Sequence, residues 1–233
     1  MLPISSWYTT LGHYSFPTIF IELDNEEVQA IIADADEKSP EAKATMKKLR
    51  HAMKSLPGSS FIGTDLCMPT DSDMFKPRGR CTSGTKAWLT LKTSEKVKKV
   101  LREKKTSTLI VRPYRHMTTV REFRLFFKNR ELKAMSQMNL ERHFVRLALR
   151  ADELWSDAQK FAEDIKKDLP EDDCVVDIYF TSSKRIMLID MNSWGAPTDP
   201  LLLRTWDRNW EENSGLILIP PPVKMKGDIS VSF

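Results

Sequence analysis

Residues 174–199, CVVDIYFTSSKRIMLIDMNSWGAPTD, set acidic side chains inside apolar strands, and few folds accommodate that. Val175, Ile178 and Phe180 precede a polar turn at 181–184, and Ile186, Met187, Leu188 and Ile189 follow it, so the stretch reads as a β-hairpin. Asp177 falls within the first strand. Asp190 and Asn192 close the second at i and i+2, which turns both side chains to one face. Two carboxylates and an amide on one hairpin suit Mg²⁺, a hard cation that takes oxygen ligands and commonly shares them with substrate phosphates. The alternative is an ion pair between Asp177 and an arginine, with Asp190 and Asn192 merely opening a turn.

A chain of 233 residues makes one large domain or two small ones, with ample length for a core. No apolar run has the length of a membrane span, and the first residues lack the basic-then-apolar order of a leader. Three isolated cysteines, Cys67, Cys81 and Cys174, form neither a disulfide framework nor a metal knuckle. These features predict a cytoplasmic, reducing setting and no membrane partner. The formal charge of +4 is concentrated in residues 76–130, whereas 151–173 is acidic. Nucleic-acid binders carry a denser basic cluster, so nucleic acid is not expected as a partner.

The remaining pattern alternates helices and strands. Residues 1–14 read as irregular and aromatic, with Trp7, Tyr8 and Tyr14 close together; such a cluster more commonly packs against the body than forms an exposed partner site. Residues 16–23 read as a strand, and Asp24 or Asn25 caps a short helix. Ser39, Pro40 and Glu41 open a longer helix as N-cap, N1 and N2, stopped by Pro57 and Gly58. A short strand at Phe61 and Ile62 leads into a long loop, of a length that often carries function. There Lys76, Arg78 and Arg80 surround Gly79 without the spacing of a P-loop. Residues 88–91 read as a strand, and Thr93 or Ser94 caps a basic helix. Strands are predicted at 108–112, 120–127 and 131–138, the last two joined by a turn at Asn129 and Arg130. An amphipathic helix covers 151–168 and a final strand covers 216–219.

Several of these stretches together resemble the cell division cycle protein 123 (D123) family. The carrying segments are SSWY at 5–8, EFRLFFKNRELKAMSQ at 122–137, VVDIYF at 175–180 and LIDMNSWGAPTDPLL at 188–202, in the family's order. They span most of the chain except the middle loop and the last dozen residues. The resemblance implies an α+β, ATP-grasp-like fold, with ATP held between two subdomains, placed here at 1–106 and 107–233. It implies that Asp177, Asp190 and Asn192 hold Mg²⁺ and the phosphates. Arg124 then faces phosphate, which its planar fork suits; a salt bridge with Glu122 or Asp177 is the alternative. Arg112, Pro113 and Tyr114 correspond to the segment that borders the adenine, where backbone groups read the base edge and Tyr114 could pack on it.

The chain also departs from the family. Gly63 stands where a lysine is expected, only Pro69 and Asp71 keep their places after it, and Pro113 replaces another lysine. Lys76, Arg78, Arg80 and Lys92 are the candidates to supply the missing charge. Asn192-Ser193-Trp194-Gly195 replaces Asn-Pro-Phe-Gly, and a long acidic C-terminal part is absent.

The function implied is that of an ATP- and Mg-binding chaperone, rather than a turnover enzyme, that promotes assembly of eukaryotic translation initiation factor 2 by binding its gamma subunit. A monomer is expected, with Ser5, Ser6, Trp7 and Tyr8 as candidate partner surface. The alternative is an ATP-grasp ligase acting on a peptide, protein or nucleic acid, with residues 76–105 lining the substrate path. A chain that keeps the fold and binds nothing would have no physical need for buried acids.

Overall fold

The computed structural model describes residues 1–222. Its apolar segments separate into two sheets. The first contains β1 (Ile19–Glu22), β2 (Ser60–Thr64) and β3 (Thr108–Pro113) in the antiparallel order β1-β3-β2. The second contains β4 (Glu122–Lys128), β5 (Glu131–Gln137), β6 (Cys174–Phe180), β7 (Ile186–Ser193) and β8 (Gly215–Ile217) in the order β7-β6-β4-β5-β8. Neighbours are antiparallel except β8, which runs parallel to β5. The mixed α+β class expected from the sequence is the class observed.

Four helices cover one face of the first sheet: α2 (Asn25–Ile32), α3 (Pro40–Lys54), α4 (Gly84–Lys92) and α5 (Glu95–Arg102). Their starts are set by side-chain caps. Asp24 accepts from the Glu27 N–H while Glu27 accepts from the Asp24 N–H, closing a capping box. Ser39, Ser83 and Ser94 cap the other three. Asp24→Ala should lower stability by about 1 kcal/mol, read as a shift in urea midpoint at constant slope. An unchanged midpoint would show that Glu27, buried beside Lys48, anchors α2 without the cap.

The second sheet packs α7 (Ala151–Ile165) on one face, through Leu154, Ala158, Phe161 and Ile165 against Phe123, Leu125, Val176 and Ile178. Phe126, Ala134 and Val175 point the other way, toward Leu203 and Trp210. That alternation follows from the two-residue repeat of a strand.

The structure corrects several expectations. Residues 1–14 are not irregular: α1 (Ile4–Leu11) is followed by a 3₁₀ turn at Gly12–Tyr14. Ile4, Trp7 and Leu11 recur at helical spacing and are buried in the core of the second sheet. Trp7 is therefore core rather than partner surface. Residues 88–91 are helical within α4, because Gly84, Ala87, Trp88 and Leu91 make a helical stripe; a four-residue apolar run does not separate helix from strand. A short helix, α6 (Val145–Ala148), was not expected. The division at 106 and 107 assigns β3 to the second subdomain, whereas strand pairing puts it at the centre of the first sheet. Among the described residues the last strand is β8, at Gly215–Ile217 rather than 216–219.

Candidate nucleotide and metal site

One row of side chains crosses the second sheet on the face opposite α7. Ser136 of β5 pairs with Arg124 of β4, Arg124 with Asp177 of β6, and Asp177 with Asp190 of β7. Directly opposed residues lie close enough to interact, so the row sets one cation beside two acids. Arg124 grips Asp177 with both arms, Nε to Oδ1 at 2.7 Å and Nη2 to Oδ2 at 2.8 Å. Its third nitrogen, Nη1, donates to the Asp199 carbonyl at 2.8 Å and ties down the loop after β7. Burial works against the Arg124 charge, but the pairing with Asp177 outweighs it and raises its pKa. The ion pair weighed as the alternative is thus present, with Asp177 as the partner.

Among the described residues, Asp190 has no such partner. Its Oδ1 accepts from the Met191 N–H at 2.8 Å, while Asp177 stands across the ladder. Burial and the neighbouring Asp177 charge push its carboxyl up to about 7. Asn192, two residues on, donates from Nδ2 to Asp177 Oδ2 at 3.2 Å. Hydrogen-bonded i and i+2 geometry thus brings Asp177, Asp190 and Asn192 together as the sequence predicts.

A β-bulge contributes to this arrangement. The ladder shifts between Asp177 and Ile178, so that Ile178 faces Leu188 and Ile189 is left without a partner. The Ile189 carbonyl instead accepts from Arg112 Nη1 at 2.9 Å, linking β7 to the first sheet. Arg112 Nε donates to Thr18 Oγ1 at 3.0 Å, and its buried Nη2 has no hydrogen-bond partner among the described residues. Burial pulls the Arg112 pKa down against the field of Asp190. Arg112 therefore joins the two sheets through its side chain, a role that its place in an apolar strand does not reveal.

The donor set fits Mg²⁺ in a particular way. Among the described residues, no three His, Cys, Asp or Glu side chains form a metal cluster by themselves. Two carboxylates and an amide oxygen suit an ion whose remaining positions go to water and phosphate. The unfavourable charge on Asp190 is the observation that such a cation would relieve. Asp177 can accept a metal as well as Arg124, because a carboxylate has about four lone-pair sites.

The segment 112–114 lies where the two sheets meet. The Tyr114 N–H donates to Ser59 O at 2.7 Å, so antiparallel alternation turns the Pro113 carbonyl to the opposite edge, where β1 has ended. Pro113 can accept a hydrogen bond there but cannot donate one. A small cavity of about 80 Å³ adjoins it, lined by Phe16, Phe61, Arg112, Met117 and Ile189. Tyr114 instead lines a cleft of about 660 Å³ with Pro77, Arg80, Thr82, Lys86 and His116. A base seated beside the Pro113 carbonyl would therefore meet Phe61 and Met117 before Tyr114.

Glu122, which the sequence offers only as an alternative partner for Arg124, lies two residues from it on the same strand face. Burial, and then the Asp177 charge, raise its carboxyl pKa. The same alternation that exposed Arg124 in the sequence could have found it. Beyond Val175 the face continues into Trp194, Trp206 and Trp210 around Phe126, with Trp194 and Trp210 ring centres 4.5 Å apart.

Comparison with known proteins agrees with this architecture. The structure of C-terminally truncated Cdc123 from Schizosaccharomyces pombe is similar with a TM-score of 0.78, at 22% identity, over 92% of this chain and 93% of that one. A translation initiation factor eIF2 assembly protein from Xenopus tropicalis is 28% identical over 191 residues, covering 74% of this chain and 57% of the relative. One from Aspergillus fumigatus is 38% identical over 96 residues, covering 40% of this chain and 23% of the relative. The chain thus spans about half the length of the Xenopus relative. No described helix is long and apolar enough to cross a membrane. The D123 family model matches residues 18–214, a span that includes the first sheet, β4 to β7 of the second and the whole Arg124, Asp177, Asp190 and Asn192 constellation, and the chain belongs to the D123 family.

Proposed function

We propose that this chain binds Mg-ATP between its two sheets and acts in assembling translation initiation factor 2 by engaging the gamma subunit. The observation that carries the nucleotide reading is the row Arg124–Asp177–Asp190 with Asn192 beside it: two acids held on one face, only one of them paired to a guanidinium. Asp177, Asp190 and Asn192 hold the metal. When bound, Mg²⁺ neutralises charge shared between these acids and the phosphates. Arg124 orients Asp177, Arg112 supports the bulge before Asp190, and the Pro113 carbonyl accepts from the edge of the base. ATP in this role orders the two sheets relative to one another for the partner.

The assembly role is supported by family membership and by the names of the relatives. It is tested by mixing the purified chain with the gamma subunit at micromolar concentration. A complex that co-elutes in gel filtration, strengthened by Mg-ATP, is expected. Two separate peaks under both conditions would remove the partner from the account. ADP release dependent on an added acceptor would instead favour the ligase reading.

A further inference from the structure

The face that carries Asp177, Asp190 and Glu122 is short of free positive charge. Arg124 is committed to Asp177 and the Asp199 carbonyl; Arg112 is held by Thr18 and Ile189, and its one unpartnered nitrogen among the described residues, Nη2, is buried. A bound polyphosphate would add more negative charge than one Mg²⁺ removes, so another cation is needed. The first sheet offers none at Gly63 of β2. A Cβ there would collide with Met68 Sδ and approach the Cys67 carbonyl to 3.1 Å.

The basic residues of the long loop are not equivalent. Lys76 Nζ is paired with Asp73 at 2.7 Å. Arg80 Nε donates to Ser59 Oγ at 2.9 Å, and Lys92 Nζ to the Ala35 carbonyl at 3.1 Å. Arg78, like Arg80 and Lys92, pairs with no carboxylate among the described residues; its Nη1 donates to His116 Nε2 at 2.8 Å, and of the four it is the one whose charge bears on Glu122. Since a guanidinium cannot accept, His116 must be the acceptor and carry its proton on Nδ1.

The backbone holds Arg78 in place. Arg78 and Gly79 are both left-handed, with φ of 64° and 74°. Gly79 lies so close to two aromatic rings that a Cβ would come within 2.6 Å of Phe75 and 2.8 Å of Phe61. Phe61 is on the same face of β2 as Gly63 and lines the cavity beside Pro113. The loop is thereby folded over the edge where the sheets meet. The Arg78 charge also reaches Glu122, which it stabilises as the carboxylate.

We propose that Arg78 is the cation that contacts the polyphosphate of the bound nucleotide, reaching it from the loop folded over Phe61. This rests on the nucleotide reading above. Arg115 is the nearest competitor, since it also borders the cavity beside Pro113; its position there places it on the base side.

The test is calorimetry with ATP and with adenosine, both in Mg²⁺, on the wild type, Arg78→Ala, Arg78→Gly and Lys76→Ala. The glycine variant keeps the positive φ without strain, so loop distortion is controlled. Losing a charge-assisted contact should weaken ATP by about ten- to a hundredfold in both Arg78 variants. Adenosine affinity should stay the same, and Lys76→Ala should behave as wild type. Unchanged ATP affinity in both Arg78 variants overturns the proposal while leaving the nucleotide site standing. Equal losses for ATP and adenosine also overturn it, because the residue would then act on the fold. Failure of the wild type to bind ATP would remove the nucleotide reading itself.

Discussion

Asp190→Asn should weaken Mg-ATP binding at least about a hundredfold, close to 2.7 kcal/mol, while leaving the ligand-free protein as stable as wild type or slightly more so. The two halves of this result have one cause. Asparagine keeps the oxygen that accepts from the Met191 N–H, so the local hydrogen bond survives. It removes a charge that the folded protein disfavours, shown by a carboxyl pushed up to about 7 beside Asp177. What is lost is one of the two carboxylates available to the metal. A thermal melt reads both effects: Mg-ATP should raise the wild-type midpoint and leave that of the variant unmoved. A ligand-free variant that melts well below wild type would mean that Asp190 is a structural acid rather than a retained ligand.

Arg124→Leu should have the largest effect on stability, about 3–5 kcal/mol, because it strands the Asp177 carboxylate in a buried position. For a chain of this size that corresponds to a fall in Tm on the order of ten degrees. The hydrogen bond to the Asp199 carbonyl goes with it, freeing the loop after β7. Replacing both partners with leucine should recover much of the loss, since no lone charge remains. Neither variant should bind Mg-ATP. A double variant no more stable than Arg124→Leu would show that the Asp199 tether, not the ion pair, was the main contribution of Arg124.

The elements with local signals were legible in the sequence. Ser39 followed by Pro40, and Ser94 before a basic stripe, marked helix starts that the structure shows, and Asn129 with Arg130 marked a turn in which both residues have positive φ. The spacing of Asp190 and Asn192 was enough to put them on one face. What could not be read depends on contacts between distant segments. Trp7 could be read as packed against the body or as part of a partner surface, because nothing nearby shows that α1 packs on the second sheet. Residues 88–91 were ambiguous because helix and buried strand share the same short apolar run. The bulge that frees the Ile189 carbonyl for Arg112 is a register event between β6 and β7, invisible without the partner strand. Choosing among Lys76, Arg78, Arg80 and Lys92 required knowing what each of them contacts and which of them lies near Phe61 and Glu122.

The site account stands or falls on whether the paired acids serve a metal-bound nucleotide. Calorimetric titration of the wild-type chain with ATP, in Mg²⁺ and again in EDTA, tests this most directly. One nucleotide per chain, bound at least roughly tenfold more weakly in EDTA, is the predicted result. No binding in Mg²⁺, or binding of equal strength in EDTA, would contradict it.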